Sequence, residues 1–184
     1  MPTIKIQEIA FRPPHSFTLH IQMGEREAQE LDLTSPFVSE DHKRLDWYFE
    51  QYLSEPYIAE TRVRKAQETL FSKGEILFQL TLGNKDLLPH FRELKNQFPW
   101  EDWVVELVGE SSAFFEIYWE AMAPPARSPL AASGVQFVRK SPKASSIDFH
   151  IDEKSTLNIL VVSARPGEEK DVNPHTIQRP MIER

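Results

Sequence analysis

Few residues of this chain are of a type that does chemistry at neutral pH, and their spacing decides how far each can be taken. The six histidines, His15, His20, His42, His90, His150 and His175, never stand at H-x-x-x-H or H-x-E spacing, so no pair is laid out for zinc on one helix face. His20 sits in an alternating stretch and belongs on its polar side. Cysteine is absent from the sequence, which removes disulfides, thiolate-bound zinc, iron–sulfur clusters and a cysteine nucleophile together. In Trp100-Glu101-Asp102-Trp103 two carboxylates flank aromatic rings, as in a sugar or peptide cleft, but a turn anchored by its tryptophans is the favoured reading. Trp119 followed by Glu120 is taken in the same way, as a core tryptophan beside a structural carboxylate. Gly167 stands alone where a dinucleotide loop needs G-x-G-x-x-G to bring backbone to a pyrophosphate. No residue is therefore assigned a catalytic, cofactor-binding or metal-binding role, and no cofactor is expected.

The elements that would position these groups follow from hydrophobic periodicity. Phe17, Leu19, Ile21 and Met23 alternate with polar residues and predict a strand. A partner strand is expected at about Ile4 to Ile9, joined to it through Arg12-Pro13-Pro14-His15, where proline can neither donate to a ladder nor continue a helix. Ser39 is the expected cap of a helix whose stripe is Leu45, Tyr48, Phe49, Tyr52 and Leu53 and which Pro56 ends. A second helix is predicted from about Thr61, with Val63, Ala66, Leu70, Leu77 and Phe78 inward and Gly74 tolerated at some cost. A third covers Asp86 to Phe98, capped by Asn84 or Asp86, with Leu87, Phe91, Leu94 and Phe98 on its inner face. Strands are expected at Trp103–Val108 and Val135–Arg139, while the segment from Phe115 to Met122 stays ambiguous. The stretch 141–156 has the composition of a linker. Beyond it, Leu157–Val162 is a continuous apolar run suited to a strand buried on both faces, and Asn173-Pro174 opens a helix through Ile177, Met181 and Ile182. A lone strand and helix cannot bury their own faces, so the remainder of that unit is expected either beyond a truncation or on another polypeptide.

With 184 residues, 40% of them hydrophobic and 11% aromatic, the chain can fill a core. Its formal charge of -7, from 28 acidic and 21 basic residues, opposes nucleic acid and anionic lipid. The nearest basic group, Arg62, Arg64 and Lys65, interleaves with Glu60 and Glu68 as a solvated helix face does. No stretch approaches the roughly 20 apolar residues of a membrane span, and the N-terminus lacks a secretory pattern. A cytoplasmic protein with neither nucleic acid nor membrane as partner is expected.

Several segments in order resemble the CHAT domain, a caspase-like domain of the separase and caspase clan. They are Leu45–Leu53 (LDWYFEQYL), Phe71–Gly83 (FSKGEILFQLTLG), Ile117–Met122 (IYWEAM), Gly134–Lys140 (GVQFVRK) and Leu157–Glu183. In the last, strand, Arg-Pro break and Asn-Pro-initiated helix come together. The resemblance implies an α/β protein. Residues 1–140 would be a silent pseudo-caspase half with a mixed sheet and about three helices. Residues 157–184 would be the first strand–helix unit of the caspase-like half with its parallel sheet. It implies a parent cysteine endopeptidase, with sensor or repeat domains and a protein substrate, whose histidine and cysteine follow later strands. With no cysteine present the chain alone would be inactive, and His175 falls too early for the catalytic histidine. Its partner would be the remaining caspase-like half, in cis or trans. The ending at Arg184 is compatible with gene truncation or with proteolysis, since some relatives cut after arginine.

The alternative is a non-enzymatic interaction module whose open strand edges and apolar faces bind a partner chain. A third reading, an unrelated α+β domain that binds a small molecule, requires the late motif to be coincidental.

Overall fold

Alternation in the first third of the chain produces an antiparallel meander of β1 (Thr3–Arg12), β2 (Ser16–Met23) and β3 (Gln29–Thr34). The computed structural model describes residues 1–52 and 60–142, which lie within the first of the chain's two units, Met1–Ser145. Register places Ile6 opposite Ile21, Leu19 opposite Leu31 and Phe17 opposite Leu33, so one face is apolar and buried. The other face carries His20 opposite Glu30, Thr18 opposite Asp32 and Ser16 opposite Thr34. Arg12 reaches across this face to both Thr18 and Asp32.

β3 was not foreseen. It offers only Leu31 and Leu33 as apolar signal, and is held by these cross-strand polar pairs as much as by burial. β1 is also longer than expected. A bulge between Glu8 and Ala10 inserts one extra residue, Ile9, and restores Phe11 to the buried face. There Phe11 stacks on Phe17 at 5.1 Å.

α1 (Ser39–Asp46) has Val38 as its N-cap, one residue before the expected cap Ser39. The buried Asp41 carboxylate accepts from the Val38 N–H at 3.1 Å, so the acceptor comes from within the first turn, not from a serine cap. Lys73 at 3.4 Å and Arg44 at 3.6 Å neutralise Asp41. The helix runs into a π-helical turn, Trp47–Gln51. This wider turn shifts the apolar stripe out of phase, so Trp47 is buried while Phe49, expected inside, is 47% exposed. The position of Leu53 lies outside the described residues.

α2 (Glu60–Leu80) is 21 residues long and buries Ala66, Thr69, Gly74, Leu77 and Phe78. α3 (Leu88–Gln97) starts two residues after the expected Asp86. The Asn84 side chain is spent on the Asp86 N–H at 3.2 Å, and its carbonyl accepts from Leu87 and Leu88. A turn therefore precedes the helix, and Pro89 occupies the first helical turn. Phe98, expected inward, is 38% exposed because the chain has already turned extended there.

Two further strands, β4 (Val104–Val108) and β5 (Gln136–Lys140), complete a five-stranded mixed sheet in the order β3-β2-β1-β4-β5. β1, β4 and β5 run parallel. Between β4 and β5 lies a short helix, α4 (Ser112–Phe115), and the segment from Phe115 to Met122, ambiguous in sequence, holds a 3₁₀ turn, Trp119–Ala121. Its Phe114, Ile117, Trp119 and Met122 join a single core cluster with Ile4, Ile6, Leu19, Ile21, Val105 and Leu107 of the sheet and with Leu45, Leu77, Phe78 and Phe91 of the helices. The architecture is α/β. The strand expected at Leu157–Val162, the helix expected from Asn173 and most of the linker lie outside the described residues.

Gly74 is not merely tolerated in α2. A Cβ there would stand 1.9 Å from the Ala121 carbonyl oxygen and 2.8 Å from its carbon, and the Ala123 N–H donates to the Gly74 carbonyl at 3.2 Å. Backbone atoms cannot rotate aside. We therefore expect Gly74→Ala to cost about 3 kcal/mol through overpacking, although alanine is the better helix former by about 1 kcal/mol. Urea melts of Gly74→Ala and of the exposed control Ser72→Ala test this, and equal midpoints for the two variants would rule out the close crossing.

Candidate functional site

Open α/β sheets hold ligands beyond the carboxyl ends of their parallel strands, which here are the ends of β1 and β4. A groove of about 600 Å³ lies there, lined by Gln7, Glu8, Ile9, Phe11, Ser111 and Pro142 among others. Its one concentrated polar feature is already satisfied. Glu8 accepts from the backbone N–H groups of Glu110 at 2.8 Å and Ser111 at 3.0 Å, and from the Ser111 hydroxyl. Ser111 in turn accepts from the Phe114 N–H at 3.2 Å and caps α4. The hydroxyl thus has both hydrogen-bonding roles filled by structure, with a carboxylate and no imidazole beside it. That arrangement ties a turn and does not activate a nucleophile. Gly109 permits it, because a Cβ there would meet Phe114 at 2.6 Å and Glu8 at 2.8 Å.

The residues singled out in sequence are dispersed. Trp103 and Trp119 are fully buried; Trp119 donates to the Phe114 carbonyl at 2.8 Å and Trp103 to that of Phe98 at 3.4 Å. Trp100 is half-buried below Lys95, with Glu101 and Asp102 exposed in the same 3₁₀ turn. Glu120 forms a two-point pair with Arg139. His20 meets Glu30 at 3.2 Å on the polar face, and His42 packs between Phe37 and Tyr118. Arg62 lies 3.7 Å over the Trp47 ring and Arg64 reaches Glu68 at 3.8 Å, which leaves no shared phosphate site. Among the described residues no three His, Cys, Asp or Glu side chains gather in a way that could hold a metal ion. Nor is any helix among the described residues long and apolar enough to cross a membrane. His150, Gly167 and His175 lie outside the described residues.

What the fold does assemble is an aromatic cluster around Tyr118. Its ring lies 5.2 Å from Phe37, 5.3 Å from His42 and 6.0 Å from Phe49, and its hydroxyl donates to Asp46 at 2.5 Å. Beside it an apolar depression of about 390 Å³ is lined by Phe49, Leu70, Tyr118, Ala121, Pro129 and Ala132, with Glu120 and Ala131 completing it. Sequence reasoning missed this surface because it placed Phe49 in the core and left the backbone around Tyr118 unassigned. The one legible signal was the density of aromatic residues from Trp47 to Tyr52.

No protein-family model, curated protein or solved structure matches this chain.

Two outcomes are expected of this geometry. Removing the Glu8 carboxylate leaves the Glu110 and Ser111 N–H groups without their acceptor, so Glu8→Ala should cost about 1–3 kcal/mol and Glu8→Gln, which keeps one acceptor oxygen, clearly less. Equal losses in denaturant melts would show that the carboxylate does not hold the turn. The second concerns Tyr118. Burial first, then the Asp46 hydrogen bond and the charges of Asp46, Glu50 and Glu116, push its phenol pKa above the ordinary range. The folded state therefore holds this proton more tightly than the unfolded one. The resulting stability is complete below about pH 10, the ordinary tyrosine pKa, and is lost as pH rises beyond it. Between pH 9 and 11.5 the denaturation midpoint should fall more steeply for the native chain than for Tyr118→Phe, and parallel curves would contradict this.

Proposed function

We propose that this chain is the non-catalytic scaffold half of a CHAT-type caspase-like protein, and that it acts by binding polypeptide. The segments resembling that family run in order from Leu45 to Glu183, and the sequence offers no cysteine to serve as nucleophile. The observation that carries the reading is the edge of the sheet. β5 pairs with β4 and with no other strand among the described residues, and Gln136, Val138, Arg139 and Lys140 are exposed along it. A parallel strand unpaired on one side among the described residues is a template for a further strand. In this reading the catalytic histidine and cysteine come from the remaining caspase-like half, in cis or in trans, and the parent protein is a cysteine endopeptidase.

A second reading, a free-standing interaction module, is favoured by the exposed Phe49 over its apolar depression. Transcript sequence beyond the Arg184 codon separates the two. The first reading expects a frame with a histidine and a cysteine, each after an apolar strand. Joined to that frame, the chain should cleave a fluorogenic arginyl peptide, and changing the cysteine to alanine should abolish cleavage. A stop codon with no such frame, or a joined protein without cysteine-dependent cleavage, would leave the interaction module alone.

A further inference from the structure

The apolar depression and the charge around it specify an occupant more narrowly than polypeptide binding in general. Its floor and walls are Leu70, Tyr118, Ala121, Pro129 and Ala132, with Phe49 standing 47% exposed at one side. A depression of about 390 Å³ lined by small and aromatic residues has room for a bulky apolar side chain.

The surroundings of Tyr118 are acidic. Asp46, Glu50 and Glu116 are all exposed, and all three act electrostatically on its phenol. Several other carboxylates of this protein have cations: Asp32 has Arg12, Asp41 has Lys73 and Arg44, Glu93 has Arg26, Glu106 has Lys140 and Glu120 has Arg139. Asp46, Glu50 and Glu116 have no cationic partner among the described residues. These three carboxylates stand beside the apolar slot, whose own Glu120 is paired with Arg139, and such a rim draws in a cation and repels a like charge.

We propose that this depression is the docking site for a basic amphipathic segment of a partner polypeptide. One bulky apolar side chain of the segment enters between Phe49 and Pro129, and a lysine or arginine close to it faces Asp46, Glu50 and Glu116. A second copy of the chain is disfavoured as occupant, because it brings the same acidic rim and a formal charge of -7. An anionic lipid surface is disfavoured for the same reason. The inference rests on the binding part of the reading above and is independent of whether a catalytic half exists.

The test uses the full chain with two synthetic helical peptides, one of leucine and lysine and one of leucine and glutamate in the same pattern, followed by fluorescence anisotropy at low and high salt. The leucine–lysine peptide should bind, and added salt should weaken it. Binding should fall at least about tenfold in Ala132→Arg, which fills the slot from an exposed position, and by as much in the double variant Glu50→Lys/Glu116→Lys. The leucine–glutamate peptide should bind the double variant and not the native chain. Equal binding of the leucine–lysine peptide to all three proteins would overturn the proposal, since it would report only general acidity. So would equal binding of both peptides to the native chain, or loss of the site to self-association at assay concentration. Finding no catalytic frame downstream would leave these affinities unchanged, so failure of the enzyme reading and failure of this one are distinguishable.

Discussion

The contact between α2 and the Trp119–Ala121 turn is made through backbone, and much of the molecule is arranged around it. With no side chain at Gly74, the helix approaches until the Ala121 carbonyl occupies the space where a Cβ would be. That distance lets Leu77 and Phe78 reach the core and brings Leu70 alongside Ala121, where both line the apolar depression. It also fixes the path of the chain after the turn: Leu130 donates to the Met122 carbonyl at 2.8 Å and Val135 to that of Leu130 at 3.1 Å, leading directly into β5. Close packing of this kind transmits a shift of a few tenths of an ångström to every neighbour. The surface beside Tyr118 and the exposed edge of the sheet thus share one mechanical origin.

Electrostatics divides the surface into two regimes. A number of charged side chains are arranged in local pairs, several across the polar face of the sheet, and such exposed pairs contribute little each. Asp41 differs because it is buried and serves two tasks, accepting the Val38 N–H and drawing Lys73 from α2 toward α1. Around Tyr118 carboxylates gather without cationic partners among the described residues, and Asp46 accepts from the phenol. That hydrogen bond accounts for Asp46, whereas for Glu50 and Glu116 a stability argument gives no reason, since like charges in proximity destabilise.

How much of this was legible in the sequence depended on whether the signal was local. β2, α2 and β4 carry strong periodicity or dense β-branched residues, and all were readable to within a residue or two. β3 was not, because two leucines in six residues are too weak a pattern without knowledge of the partner strand. The helix beginning at α1 was found, but its inner face was misjudged: a π turn is a small change in winding with no composition of its own, and it exchanges Trp47 for Phe49. Gly74 read as a cost because only tertiary structure shows what it faces. The same applies to the depression, which is built from the π turn, α2, the Trp119–Ala121 turn and the proline-rich loop, four segments remote in sequence.

The bulge in β1 bears on how the chain can vary in length. Ile9 is the extra residue: Glu8 before it and Phe11 after it both face the core, while Ala10 and Arg12 face out. Deleting Ile9 would leave every remaining side chain of the strand on its present side, whereas a deletion elsewhere between Thr3 and Arg12 would turn part of it inside out. That strand therefore has a single point where evolution can add or remove a residue without exchanging interior for exterior. The point sits next to the carboxylate that ties β1 to the loop before α4, so a change of length there alters how the strand bends toward that loop and leaves the faces of the sheet intact.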